Sequence, residues 1–261
     1  MTILVACGLT REARIIARPG LTVVAGGGDA ARLEAALEAA AGGSTMLLSS
    51  GLAGALDPAL KAGDVVVGSL FSHLPGTGRG TAREASGGGG EPQTLRAGQS
   101  PSTSFAGPPP RSGEVFFGWL ASQLPEATVG TILATDSIIA SAAEKRDLFA
   151  RTGAIAVDME SHIAARVAAR HGLPFAIVRT ISDSADQALP PAALVGMKPD
   201  GSVALGAVLA SLARHPAQLP ALIATGRSAG RAFAALSRVY DVLGRGGIGG
   251  LDLGQLALDM A

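Results

Sequence analysis

Residues 155–190 read IAVDMESHIAARVAARHGLPFAIVRTISDSADQALP. The spacing predicts strand, helix, strand, with an acidic loop after each strand. Ile155 to Val157 is a short apolar run that ends in Asp158-Met159-Glu160. Ile163, Ala164 and Val167 share one face of a helix predicted over residues 161–170. Gly172 is placed to close that helix in the left-handed conformation, and Pro174 bars its continuation. Phe175 to Ile181 is a second apolar run, ending in Ser182-Asp183-Ser184-Ala185-Asp186. A unit of this kind is nearly always a right-handed crossover between parallel strands. Both acidic loops are then expected at one sheet edge, where open α/β sheets bind ligands. Glu160 and Asp183 would face one crevice.

Upstream, Thr2 to Ala6 is an apolar strand, Gly8 turns the chain, and Thr10 is placed to cap a helix carrying Arg11, Glu12 and Arg14. A strand parallel to the other two brings Glu12 to the same edge. A surface carboxylate in a first helical turn is the plainer reading, since the helix dipole favours it there. Leu21 to Ala25 is a second strand. Gly26-Gly27-Gly28-Asp29 reads as a turn, because it lacks the Lys-Ser/Thr ending of a phosphate loop and the spacing of a dinucleotide fingerprint. A helix over 30–41 and a strand over 45–49 lead into Ser50-Gly51-Leu52-Ala53-Gly54-Ala55-Leu56, whose small residues permit close approach of a ligand or of other backbone. Further strands are expected at 65–67 and 127–134, and helices near 114–123 and 142–151.

The chain has 261 residues, 48% of them apolar and 3% aromatic, so a large core must be built from Ala, Val, Leu and Ile. That length allows one large α/β domain or two small ones. The formal net charge is zero, which argues against a nucleic-acid partner. The lone Cys7 excludes an internal disulfide framework and suits a reducing compartment. The start MTILVACGLTREAR does not read as a signal peptide, and no apolar run reaches the ~18 residues of a spanning helix. A cytoplasmic protein is expected.

Residues 72–113 are dominated by Gly, Pro, Ser and Thr. Apolar residues are too sparse there to offset ordering entropy, so a disordered insertion is expected, with an active-site flap as the alternative. Helices are predicted near 202–214 and 219–243. The second, with its end, carries Arg227, Arg231, Arg238 and Arg245 among apolar residues. Such a helix either packs on the domain or makes peripheral contact with the inner face of an anionic membrane. The Gly-rich tail, 246–261, is expected to be flexible. The domain assignment is therefore a single unit over 1–245 with an insertion and a tail.

Asp183 is the sharpest candidate for chemistry. A carboxylate among small polar residues at a strand end suits a general acid; capping the next turn is the structural alternative. Val157-Asp158-Met159-Glu160-Ser161 and Ile181-Ser182-Asp183-Ser184-Ala185-Asp186, at this spacing, resemble the nucleoside phosphorylase superfamily, most closely the methylthioadenosine/S-adenosylhomocysteine nucleosidases. Gly51-Leu52-Ala53-Gly54, the stretch Leu56 to Val67, and Glu12 continue the resemblance. The segments Gly8 to Ile15, Asp158 to His162 and Leu189 to Leu194 resemble the hopanoid-associated phosphorylases, also called adenosylhopane nucleosidases.

The resemblance implies a three-layer α/β/α fold with a twisted mixed central sheet. It implies cleavage of the N-glycosidic bond of an adenine nucleoside, with adenosylhopane as the substrate of the nearer relatives. A methylthioadenosine/S-adenosylhomocysteine nucleosidase, or a purine nucleoside phosphorylase of other specificity, is the alternative. Asp183 would protonate or hydrogen-bond N7 of the leaving purine. Glu160 would accept from the ribose 2′- and 3′-hydroxyls, with Met159 against the sugar. Glu12 would activate the attacking water. Ala53, Gly54, Ile138 and Ile139 would line the nucleoside site, with the Ile139 backbone reading the base. Leu52 stands where the nucleosidases carry a water-holding Ser, and Ile138 where many carry a stacking aromatic. No metal or organic cofactor is implied. Phosphate remains open as co-substrate, though helical geometry turns Arg11 and Arg14 off the face of Glu12, which favours water. A homodimer is implied. Two other classes stay open: a glycosidase acting on a sugar without a base, and a nucleoside-binding scaffold without turnover.

Overall fold

The computed structural model describes residues 2–70, 112–194 and 204–259. Its strands are β1 (Ile3–Cys7), β2 (Leu21–Ala25), β3 (Met46–Ala55), β4 (Val65–Leu70), β5 (Thr128–Ala134), β6 (Ala156–Asp158) and β7 (Phe175–Asp183). Its helices are α1 (Thr10–Ile16), α2 (Ala30–Ala41), α3 (Ser112–Gln123), α4 (Ala142–Thr152), α5 (Ser161–His171), α6 (Pro191–Leu194), α7 (Leu205–Arg214), α8 (Leu219–Arg245) and α9 (Leu253–Asp259). The expected insertion lies, up to residue 111, outside the described residues, as do 195–203.

The strands lie in the order β2-β1-β3-β6-β5-β4-β7, and β7 returns to pair with β3. Five strands therefore close on themselves, and β1 and β2 extend the sheet from β3. β1, β2, β3 and β7 run one way; β4, β5 and β6 run the other. The sheet is mixed, as expected. The crossover expectation is corrected. β6 is antiparallel to β3, β7 is parallel to β3, and so β6 and β7 oppose each other. The handedness rule covers strands that become parallel partners; β6 takes β5 as its parallel partner instead.

The crevice survives for a different reason. β7 occupies one edge of β3 from Leu47 to Gly54. On the other edge, β1 pairs up to Ser49 and β6 pairs with Gly54 and Ala55. β1 and β6 thus approach head-on, and their carboxyl ends face the same short stretch of β3. Each strand feeds a helix there, α1 after β1 and α5 after β6. Two helix N-termini converge on one gap.

Side-chain alternation along β1 supports this arrangement. Ile3, Val5 and Cys7 pack with Phe116 and Trp119 of α3 and with Leu236 and Tyr240 of α8. Leu4 and Ala6 face the other way, onto Leu33 and Leu37 of α2 and Ile163 and Val167 of α5. The closed part of the sheet is filled by Ala53, Ala55, Val66, Ile132, Ala156, Ile177 and Ile181. Small and branched residues suit so narrow an interior. Each fully buried Val, Leu or Ile contributes about 1.5–3 kcal/mol.

Local signals are followed in part. Gly172 closes α5 at φ 63°, and Ser141 caps α4 by accepting from Ala143 and Glu144 N–H. Gly26–Asp29 is a turn, and Asp29 caps α2. The expected cap of α1 is corrected: Leu9 is the N-cap, and Thr10 is already helical. β3 does not end at residue 49 but runs through the small residues to Ala55. Residues 246–259 take the following form. A 3₁₀ turn at Ile248–Gly250 buries Ile248, and Leu253 and Leu256 of α9 rest on the core. Glycine permits it, because Gly249 lies so close to Gly20 that neither site has room for a Cβ.

Of the two readings of α8, packing accounts for the stretch from Ser228 to Leu243, where Ala232, Phe233, Leu236, Val239 and Tyr240 are buried. Leu219 and Ile223, in its first turns, stay exposed. Among the described residues, no helix is long and apolar enough to cross a membrane.

Candidate active site

Three carboxylates sit against three glycines. A Cβ on Gly8 would meet Glu160 Oε1 at 2.7 Å, one on Gly51 would meet the Glu12 carboxylate at 2.9 Å, and one on Gly54 would meet Asp183 Oδ2 at 3.1 Å. Gly51 also has φ 145°, which side chains rarely adopt. The small residues of β3 therefore make room for acidic groups.

Glu12 is 2% exposed. Its Oε2 accepts from Gly8 N–H (2.8 Å) and Leu9 N–H (2.7 Å), and its Oε1 accepts from Leu52 N–H (2.8 Å). It thus performs the capping expected of Thr10. Burial pushes its carboxyl above the usual range, opposed by these amides and by Arg179.

Glu160 stands at the N-cap of α5. Asp158, just before it, accepts from Glu160 N–H (3.2 Å), Ser161 N–H (3.0 Å) and the Ser161 hydroxyl. Arg179, fully buried on β7, ties the group together. Its Nε lies 2.7 Å from Asp158 Oδ2, and Nη1 lies 3.5 Å from Glu160 Oε2. Its Nη2 donates to Ser49 Oγ (2.7 Å) and Ser161 Oγ (3.1 Å). One guanidinium thus faces two carboxylates and two serine hydroxyls.

Burial pushes Glu160 up to about 7, with Asp158 and Glu12 adding to the rise and Arg179 opposing it. The folded form therefore holds its proton to higher pH than an unfolded Glu at 4.5. The stability from this group is complete below about pH 4.5 and is lost as pH rises through about 7. Glu160→Gln cannot ionise. We expect it to melt above wild type at about pH 8 and close to it at about pH 4. An equal difference at both pH values in calorimetry would assign the titration to another group.

Asp183 ends β7 beside Gly54 and is 6% exposed. Ser182 Oγ lies 2.6 Å from its Oδ1 and 3.2 Å from the Ala53 carbonyl. Its Oδ2 accepts from Lys145 of α4, which is fully buried. Asp186 is exposed and accepts from the Ser184 hydroxyl, which holds its carboxyl below the usual range.

One cavity of about 570 Å³ unites these groups. Glu12, Ala53, Gly54, Ile138, Ile139, Met159, Glu160 and Asp183, the residues to which the resemblance gave roles, all line it. Leu189, Ala192 and Ala193, with Val208, Leu222 and Phe233 of α7 and α8, form an apolar wall. Arg11 also lines the cavity, stacked 4.0 Å over the Phe233 ring. Arg11, expected to turn off the face of Glu12, still reaches the cavity, because the cavity wraps around the start of α1; Arg14 is not among the lining residues. Leu52 donates its backbone N–H to Glu12, and its side chain offers no hydroxyl.

Sequence reasoning missed Arg179 and Lys145. A charge inside the apolar run Ile177-Val178-Arg179-Thr180-Ile181 was the available signal for the first. Lys145 lies in Glu144-Lys145-Arg146-Asp147, which reads as a solvated helix face, and carried no signal.

The model of the Phosphorylase superfamily matches residues 4–214. The chain belongs to the Phosphorylase superfamily. No curated protein matches it. Among solved structures, this superfamily member resembles the 5′-methylthioadenosine/S-adenosylhomocysteine nucleosidase of Helicobacter pylori, crystallised with butyl-thio-DADMe-Immucillin-A. That match has 18% identity and a TM-score of 0.52, over 92% of this chain and 98% of that one. The futalosine hydrolase of Helicobacter pylori strain 26695 matches at 21% identity and a TM-score of 0.49, over 70% of this chain and 88% of that one. At these identities the first likeness establishes the superfamily fold.

Proposed function

We propose that this protein cleaves the N-glycosidic bond of an adenine nucleoside with a bulky apolar 5′ substituent, adenosylhopane, with water as the acceptor. One observation carries the reading: Glu12, Glu160 and Asp183 line one cavity that continues into an apolar wall. Bond cleavage leaves electrons on the purine and positive charge on the sugar. Asp183 serves the purine: its carboxylate takes up a proton from solvent before the bond breaks and passes it to, or shares it with, N7 as electrons move onto the base. Glu160 accepts from the sugar hydroxyls and faces the growing positive charge, an interaction stronger in the transition state than in the ground state. Glu12 takes a proton from water as its oxygen bonds to C1′. The products are adenine and a ribosyl hopane.

Water is favoured over phosphate by charge. Arg179, buried behind the cavity, is already engaged by Asp158 and Glu160, and Arg11 is stacked on Phe233. A phosphate dianion entering there would find neither guanidinium uncommitted and would be repelled by Asp158. Leu189, Ala192, Val208 and Leu222 suit a polycyclic hydrocarbon. A homodimer and a loose hold on anionic lipid through Leu219 and Ile223 belong to the same proposal; sedimentation with and without vesicles measures both.

The test is chromatography of free adenine after incubation with adenosine, methylthioadenosine or adenosylhopane. Adenosylhopane should give the highest kcat/KM. Preference for adenosine over both others would remove the role given to the apolar wall.

A further inference from the structure

Lys145 is fully buried, in a helix whose neighbouring charges are exposed. Its Nζ donates to Asp183 Oδ2, to the Ser184 carbonyl (3.0 Å) and to the Gln187 carbonyl (2.9 Å). An ammonium has three donors, and all three are used. No Lys145 atom lines the cavity. Burying a lone ammonium is costly, and a stabilising role alone would be met as well by an apolar residue of similar size. Among the described residues its ion-pair partner is the carboxylate at the cavity wall, Asp183.

We propose that Lys145 is a positioning residue for Asp183. It grips Oδ2 from behind, while the Ser182 hydroxyl lies against Oδ1. The carboxylate is thereby fixed about its side-chain torsions. The two carbonyls on the same ammonium hold the turn that follows β7, and Gln187 Nε2 of that turn donates to Thr225 Oγ1 on α8, itself a lining residue (3.0 Å). α4, the end of β7 and the apolar wall are joined through one nitrogen. Lys145 touches no substrate; it acts through Asp183.

This inference rests on the reading of Asp183 as the group that serves the purine. The probes are adenosylhopane, whose base needs that service, and 4-nitrophenyl riboside, whose leaving group departs without a proton. In the full-length protein, Lys145→Met should lower kcat on adenosylhopane about 10²-fold, the loss a small misplacement brings, with KM little changed. On the nitrophenyl riboside it should stay within a few-fold of wild type. In an Asp183→Asn background, Lys145→Met should cost nothing further, because the residue it positions is gone. That double variant also removes both charges of the buried pair, so it remains measurable if Lys145→Met alone fails to fold. Equal losses on both probes, or a further loss in the Asp183→Asn background, would overturn the proposal and make Lys145 a structural tie. Wild-type protein that releases no adenine would instead overturn the reading of the site.

Discussion

Asp183→Asn lowers kcat on the adenine nucleoside by about 10²- to 10⁴-fold, the usual worth of a positioned general acid. Asn keeps the shape and still accepts from Lys145 through its carbonyl oxygen. It cannot pass a proton to N7. The variant should fold but melt below wild type, because Lys145 loses its counter-charge while keeping the Ser184 and Gln187 carbonyls, and the packing beside Gly54 is unchanged. Substrate affinity should change far less than turnover, since the apolar wall and Glu160 are intact. Near wild-type kcat in a folded Asp183→Asn protein would withdraw the assignment. The 4-nitrophenyl riboside again separates the roles: a lesion in proton delivery spares it, whereas a collapsed cavity does not.

Glu12→Gln should be as severe in rate, by about 10²- to 10⁴-fold, and should also cost stability. Both oxygens of Glu12 accept backbone N–H groups, two at Oε2 and one at Oε1. A glutamine offers one carbonyl oxygen and one NH₂. Whichever way it turns, at least one buried amide faces another donor. Leaving a buried donor unsatisfied costs about 1–3 kcal/mol. The measurement is paired: kcat from adenine release and the melting temperature from calorimetry. A variant that melts like wild type would show that Glu12 does not hold the start of α1. A variant that melts lower yet turns over normally would show that Glu12 caps and does not activate water.

Local signals in the sequence were readable where one residue decides. Gly172 and Pro174 bound α5 because helix termination is a local matter. The path of β3 was not readable in this way. Ser50 to Ala55 looks like a loop when its glycines are judged alone. It is a strand because each glycine gives space to a carboxylate from another element, Gly51 to Glu12 and Gly54 to Asp183. The motif residues were legible as a set because the family resemblance joined them. Their meeting place was inferred from a parallel crossover that does not exist, and the true cause, β1 and β6 meeting head-on along β3, depends on long-range pairing. Arg179 and Lys145 were hidden for opposite reasons. The first lies in a run that reads as core strand, and the second in a run that reads as surface helix. Only tertiary contacts reveal that each faces carboxylates.

The central claim is hydrolysis of an N-glycosidic bond, and the most direct test is free adenine, separated by chromatography, from adenosylhopane incubated with the purified protein with and without phosphate. The account predicts that adenine appears at the same rate in both. No adenine in either would contradict the claim, and adenine only with phosphate, accompanied by a ribose 1-phosphate product, would contradict water as the acceptor.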